Sequence, residues 1–250
     1  MIEEARLAGF NFLSNATPSD ETHPFDLTYM VKDAAIETLD GWTGNATLNY
    51  SCAEFYQSTF NFYQTLKDMP AGIYQLRVQA FQRPGSSADA YTAYSADPSS
   101  NITTNIYIAS TSTKVKNVCA ETQKSKVGKG KEVEVGNGFI PNDMQSTSGY
   151  FAKGLYDNVV EHQFDNSGGS FNVGIRCTSA TDMYWSIFDN FRLFFLGNPD
   201  KVTVDIKEVP AQVDNNTNGS LFTPQGVKLD KRQSLQKGIY IENGRKFVVK

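Results

Sequence analysis

The stretch Asp182–Gly197, D-M-Y-W-S-I-F-D-N-F-R-L-F-F-L-G, limits what this chain can fold into more than any other part of it. Successive side chains of a strand point to opposite faces. Taking every second residue from Met183 puts Met183, Trp185, Ile187, Phe191, Leu193 and Phe195 on one side, with Asp189 as the only polar member. The pattern predicts a long strand lying across a core. A carboxylate in an apolar line is costly unless backbone N–H groups, a cation or a metal satisfy it. Two readings stay open: a satisfied carboxylate within the line, or a bend at Asp189-Asn190 that takes both side chains out of the core.

Other segments supply partners for that strand. Ile73–Phe81 alternates, with Tyr74, Leu76, Val78 and Ala80 on one face and Gln75, Arg77 and Gln79 on the other. Before it, Thr59–Leu66 puts Phe60, Phe62 and Leu66 on a shared face with Gln64 between them. Asp68–Gly72 is a turn, so the two segments read as an antiparallel pair. Further strands are expected at Glu54–Gln57, Asn105–Ala109, Tyr156–Phe164 and Phe171–Cys177. Residues 82–101 read as a polar loop, and the Lys-rich 111–131 as a solvated strand or loop. Within Phe139–Gly154, Asn142 can cap a short helix and Gly154 can end it.

The ends differ from the middle. Residues 1–25 read as a short helix followed by linker composition, and 199–218 as a second linker. Residues 219–250 contain Ile239–Glu242, Asn243-Gly244 and Arg245–Val249, a hairpin around the favoured type I′ pair. A hairpin alone is marginal, so this piece should form a small β module of three or four strands. The middle, 26–198, has seven to nine short strand patterns and one helix. The fold class is therefore all-β: a β-sandwich with one short inserted helix, plus the small C-terminal β module.

Charge and cysteines exclude some functions. Residues 1–200 carry fourteen Lys/Arg and twenty-two Asp/Glu, net −8, whereas 201–250 carry nine and five, net +4. An acidic main body argues against a nucleic-acid partner. No apolar run approaches the roughly 20 residues of a membrane span. Met1-Ile2-Glu3-Glu4 is not the start of a signal peptide, so the sequence reads as a mature or truncated chain. Cys52, Cys119 and Cys177 form no C-x-x-C pair and read as buried thiols.

No catalytic motif is present: no H-E-x-x-H, G-x-S-x-G or P-loop, and His23 and His162 are isolated. With 27 acidic residues, some pair always lies close, so a glycosidase pair has little specificity as a signal. Glu37, Glu54, Asp157 and Asp189 lie in or beside apolar segments and read as carboxylates that hold loops or calcium. Aromatic and planar polar groups on loops are the better clue. Sugars offer flat C–H faces and rings of hydroxyls, which suit an exposed aromatic platform with forked polar groups. Arg83, Tyr91, Tyr94, Asn142, Tyr150 and Tyr156 fall in or beside expected loops and are the candidate ligand-binding residues. Trp42 and Trp185 read as core.

Several of these motifs resemble a known family. Val31–Glu37 followed by Gly41-Trp42-Thr43 resembles the opening of galactose-binding-like jelly-roll domains, common in surface and secreted polysaccharide-degrading proteins of Bacteroidetes. Tyr63–Leu66 with Pro70-Ala71-Gly72-Ile73-Tyr74, then Phe81–Gly85, resembles their next hairpin. Trp185–Leu193 resembles their closing W-x-x-F-D-N-F-R-L strand. Asp33 and Ala34 stand where the family pattern has Asn-Pro. The resemblance implies a structural calcium joining Glu37 to Asp189. Residues 219–250 more loosely resemble C-terminal β modules of secreted Bacteroidetes proteins, some of them sorting signals, which implies a secreted or cell-surface home.

The expected function is a non-catalytic carbohydrate-binding or adhesive module of a glycan-utilisation protein, with a poly- or oligosaccharide as partner, within a larger multidomain protein or surface complex. The alternatives are a structural spacer or protein-interaction domain, and a glycoside hydrolase with a jelly-roll cleft. Loop shape, not fold, decides among them.

Overall fold

The computed structural model describes residues 24–197 and, towards the C-terminus, 221–222, 228–229, 238–242 and 245–249. The chain divides into two compact units at 202/203. The expected helix near the N-terminus and both linkers lie outside the described residues.

In chain order the larger unit runs β1 (Phe25–Asp26), β2 (Thr47–Asn49), β3 (Cys52–Tyr56), β4 (Phe60–Met69), β5 (Gly72–Arg83), α1 (Ser87–Ala96), β6 (Thr104–Ile108), β7 (Thr111–Lys114) and β8 (Lys116–Asn117). It continues through β9 (Glu132–Val135), β10 (Gly138–Pro141), α2 (Met144–Phe151), β11 (Asp157–Phe164), β12 (Gly169–Cys177) and β13 (Trp185–Gly197). One sheet has the order β11-β5-β13-β3-β2, with β1 on β13 and β8 parallel to β5. The other is β4-β12-β6-β7. Their inner faces share one apolar cluster that includes Tyr74, Leu76, Val78 and Ala80 of β5, Phe62 and Leu66 of β4, and Val173 and Ile175 of β12. This is an all-β sandwich of the jelly-roll kind. Each of the larger aliphatic and Phe side chains, fully buried, contributes about 1.5–3 kcal/mol relative to exposure.

The organising strand is β13, which lies between β5 and β3. Its odd-numbered residues do not share one face. Pairing with β5 slips between Asp189 and Arg192, and Asn190 takes a φ of 53°. Before this bulge, Trp185 and Ile187 point to an outer cluster while Phe188 points into the sandwich. After it, Phe191, Leu193 and Phe195 point into the sandwich. A bulge adds one residue to one strand and so exchanges its faces. Asp189 stays buried, and the N–H of Ile36 donates to its Oδ1 at 2.8 Å. Its neighbour Asn190 donates to Gln79 Oε1.

The expected antiparallel pair of β4 and β5 is corrected: they belong to opposite sheets. The connection through Pro70-Ala71 turns over the edge of the sandwich. Gly72 makes that corner possible. Its φ is 151°, and a Cβ there would lie 2.3 Å from the Phe195 ring. A short Pro/Gly connection serves a hairpin or a sandwich corner equally well, and one strand's alternation does not separate the two.

A second layer covers the outer face of the β5–β13 sheet. Phe81, Trp185 and Ile187 point outward into a cluster with Tyr150, Phe151, Tyr156, Ile140 and Val118. The expected single inserted helix is thus part of a larger cover made of α1, the β9–β10 hairpin and α2. Residues 82–101, expected as loop, contain α1. Ser86 and Asp89 form a reciprocal capping box there, and only Ala90 of the helix is buried. With so small an apolar face, α1 leaves no hydrophobic stripe in the sequence. Among the described residues, no helix is long and apolar enough to cross a membrane.

In the smaller unit, β14 (Leu221–Phe222), β15 (Lys228–Leu229), β16 (Gly238–Glu242) and β17 (Arg245–Val249) form a four-stranded sheet in the order β15-β14-β16-β17. The strands flanking Asn243-Gly244 pair with Glu242 opposite Arg245, as the hairpin reading expects.

Candidate functional site

Three adjacent strands place one row of side chains on the outer face of the larger sheet. Trp185 of β13 lies opposite Arg83 of β5 on one side and Tyr56 of β3 on the other. Residues directly opposite on neighbouring strands share a face, so pairing register alone sets arginine, tryptophan and tyrosine side by side. Glu54, two residues before Tyr56, joins the same face. The indole N–H of Trp185 donates to Glu54 Oε2 at 2.6 Å.

The chain entering α2 closes the other side. Together Glu54, Tyr56, Arg83, Asn142, Asp143, Met144 and Trp185 line an open cleft of about 320 Å³. The Arg83 guanidinium lies 5.2 Å from the Trp185 ring centroid. Its Nη1 donates to Asn142 Oδ1 at 2.5 Å and its Nε to the Gly85 carbonyl at 3.1 Å. Burial lowers Arg83 from its ordinary value, while nearby Tyr56 and Glu54 oppose that shift. Burial raises the Glu54 carboxyl, against the bond from Trp185 and the charge of Arg83. Tyr56 is the exposed aromatic of the row, with 48% of its surface free. Two non-glycine residues beside the cleft hold left-handed backbone, Gln57 at φ 54° and Met183 at φ 62°. The Gln57 N–H donates to the carbonyl of Tyr184, the residue after Met183, at 2.8 Å.

The six expected ligand-binding residues separate. Arg83 and Asn142 come together in the cleft. Asn142 does not cap α2; Asp143 does, in a capping box with Ser146. The amide oxygen of Asn142 is left to accept from Arg83. Tyr150 and Tyr156 are corrected to core residues. Both are fully buried, and their hydroxyls donate to the carbonyls of Phe139 at 3.0 Å and Val118 at 2.7 Å. Tyr94 packs against the outer cluster. Tyr91 lies on α1 with its hydroxyl over Gly136, where a Cβ would come within 2.2 Å of it. Neither lines the cleft. Sequence reasoning missed Tyr56 and Glu54 as site residues and assigned Trp185 to the core. Trp185 is nearly buried but lines the cleft as well. The alternation of Glu54 and Tyr56 at a strand end was the available signal.

Both Asp143 oxygens serve the backbone: Oδ1 accepts from Ser146 N–H at 2.7 Å and Oδ2 from Lys131 N–H at 2.9 Å. Asp143 therefore holds the helix start and the loop before it. Glu54 is the other carboxylate of the cleft.

Of the expected metal pair, Asp189 lies farther along β13 and Glu37 in the turn-rich segment between β1 and β2. Burial raises Asp189 to about 6, offset by backbone bonds from Ile36 and Asn190 and reinforced by the charges of Glu37 and Asp33. The Asp33 carboxylate accepts from the N–H groups of Glu37 and Thr38. Among the described residues, no three His, Cys, Asp or Glu side chains gather to hold a metal ion. Calcium takes about six to eight oxygens. Glu37 and Asp189 would thus hold it only with added oxygens from backbone or amide carbonyls or water, and the buried carboxylate already has a backbone donor in Ile36 N–H.

No protein-family profile matches the chain, and neither does any curated protein sequence. Among solved structures, TmCBM61 in complex with β-1,4-galactotriose is similar, with 12% identity and a TM-score of 0.34. The match covers 66% of this chain and 97% of that one.

Proposed function

We propose that this chain is a non-catalytic carbohydrate-binding module that takes an oligosaccharide in the cleft of Tyr56, Trp185, Arg83, Glu54 and Asn142. The observation that carries the reading is the Arg83–Trp185–Tyr56 row. It sets a half-exposed aromatic ring beside forked polar groups held in place by their own hydrogen bonds. A sugar ring stacks its C–H face on Tyr56, and its hydroxyls meet Glu54, Asn142 and the edge of Arg83. Rigid polar groups lose little freedom on binding. Binding fits better than hydrolysis, because Asp143, the second carboxylate of the cleft, is committed through both oxygens to backbone N–H groups.

The test is calorimetry of the full chain against a panel of oligosaccharides, with Tyr56→Ala alongside. Saturable binding that Tyr56→Ala weakens supports the site. A panel with no binder removes the reading and favours a spacer or protein-interaction role.

The wider setting suggested by the sequence resemblance is a secreted or surface protein of a glycan-utilisation system, with residues 219–250 as a sorting module. A structural calcium shared by Glu37, Asp189 and backbone oxygens of the same loop is a separate proposal, supported by the charges of Glu37 and Asp33 close to Asp189. A melt with added calcium tests it. A rise abolished by Asp189→Asn supports the metal, and an unchanged melting point removes it.

A further inference from the structure

Charge in the larger unit is segregated. Residues 114–131 hold six lysines and one acid, net +5, whereas the rest of 1–200 holds eight Lys/Arg and twenty-one Asp/Glu, net −13. Lys116 pairs with Glu121, and Lys114 donates to the Ser99 carbonyl. The other four, Lys124, Lys126, Lys129 and Lys131, are exposed. Among the described residues they have no ion-pair partner.

The loop that carries these four is structured. The N–H groups of Val127 and Gly128 donate to the Glu132 carboxylate at 2.7 and 3.2 Å. At Gly130 (φ 57°) the chain passes so close to α2 that a Cβ would lie 2.3 Å from Asp143 Oδ1. The loop also borders the cleft. Lys131 N–H donates to Asp143 Oδ2, and the Lys131 carbonyl accepts from Asn142 N–H at 2.9 Å. Asn142 and Asp143 both line the cleft. Four cations without an ion-pair partner, one of them (Lys126) lying over the Phe139 ring at 5.6 Å, are thus carried on a structured loop whose Lys131 backbone bonds the wall of the sugar site.

We propose that the Lys124–Lys131 loop is an anion-binding rim of the cleft, and that the ligand is an acidic glycan bearing carboxylate or sulfate groups. This rests on the cleft reading above. One sugar stacks on Tyr56 while acidic groups of neighbouring residues meet the lysines. The net negative charge of the rest of residues 1–200 disfavours acidic polymers elsewhere on that unit, so the rim confers position as well as affinity. Exposed ion pairs are individually weak and screened by salt, so the preference should be modest at physiological ionic strength and should fall as salt rises.

The experiment is calorimetry of the 250-residue chain with matched oligosaccharides: galacturonan, a sulfated galactan and neutral galactan, at about 0.02 and about 0.3 M salt. The proteins are wild type, Tyr56→Ala and the quadruple variant Lys124→Gln, Lys126→Gln, Lys129→Gln, Lys131→Gln. The expected result is about tenfold tighter binding of an acidic glycan than of the neutral one at low salt, the scale of a few exposed ion pairs. The quadruple variant loses that advantage with its melting point unchanged, and Tyr56→Ala weakens all binding. Galacturonan against sulfated galactan identifies which acid is preferred. Equal affinity for neutral and acidic ligands overturns the rim and leaves the cleft standing. No binding to any glycan overturns both. Binding of phosphatidylglycerol vesicles that needs the four lysines, without glycan binding, reassigns the loop to a membrane surface and overturns the proposal.

Discussion

The indole N–H of Trp185 donates to Oε2 of Glu54 at 2.6 Å, joining β13 to β3 beneath the half-exposed Tyr56. This bond orients Glu54 towards the cleft. Burial still dominates its ionisation and raises it. A carboxyl raised in the folded state contributes stability that is fully present below its unfolded value and is lost as pH rises through the folded one. Glu54→Gln keeps an acceptor for Trp185 and removes that titration. Denaturant unfolding should therefore show a flatter acid-side profile in the variant and no loss of stability at pH 7.

Asp189 follows the same sign over a defined window. Its folded value is about 6 against an ordinary 3.8. With a chelator present, its contribution should be complete below pH 4 and gone above about pH 6, a change of about 3 kcal/mol at most. Asp189→Asn, which keeps an acceptor for Ile36 N–H, should abolish this step. Asp189→Ala leaves that N–H buried and unpaired and should cost about 1–3 kcal/mol at pH 4, where the carboxyl's contribution is complete.

Arg83→Lys tests the geometry of the cleft rather than its charge. Lysine cannot stack as a plane on Trp185 while donating to both Asn142 and Gly85. Glycan affinity should fall about tenfold, equivalent to about 1.4 kcal/mol. An unchanged affinity by calorimetry would show that the fork makes no contribution.

Tyr156→Phe separates core from site. The change removes a buried hydroxyl and leaves the Val118 carbonyl without its donor. It should cost about 1–2 kcal/mol in denaturant unfolding. Glycan affinity should stay the same.

Gly72→Ala tests the sandwich corner. The backbone there has φ 151°, and the new methyl would meet the Phe195 ring. A loss of about 3 kcal/mol is expected, read as a lowered denaturant midpoint.

By itself, the sequence determined the all-β class, the strands at 73–81, 156–164 (one residue early, Tyr156 being left-handed) and 171–177, and the dominance of the segment ending at Gly197. Alternation is a local property, and each strand carries it within its own residues. It determined the Asn243-Gly244 hairpin for the same reason, since the turn and its strands are contiguous. Only tertiary structure decided which sheet each strand joined, because a corner through Pro70-Ala71 and a hairpin look alike until a partner strand is chosen. Only tertiary structure decided the face of Trp185, because the bulge after Asp189 reverses the alternation that two-residue counting assumes. Arg83 and Asn142 were legible as polar loop residues. Tyr56 and Glu54 were not, because their neighbours Trp185 and Asn142 lie more than eighty residues away in the chain and are brought to them only by strand pairing and by the seating of α2.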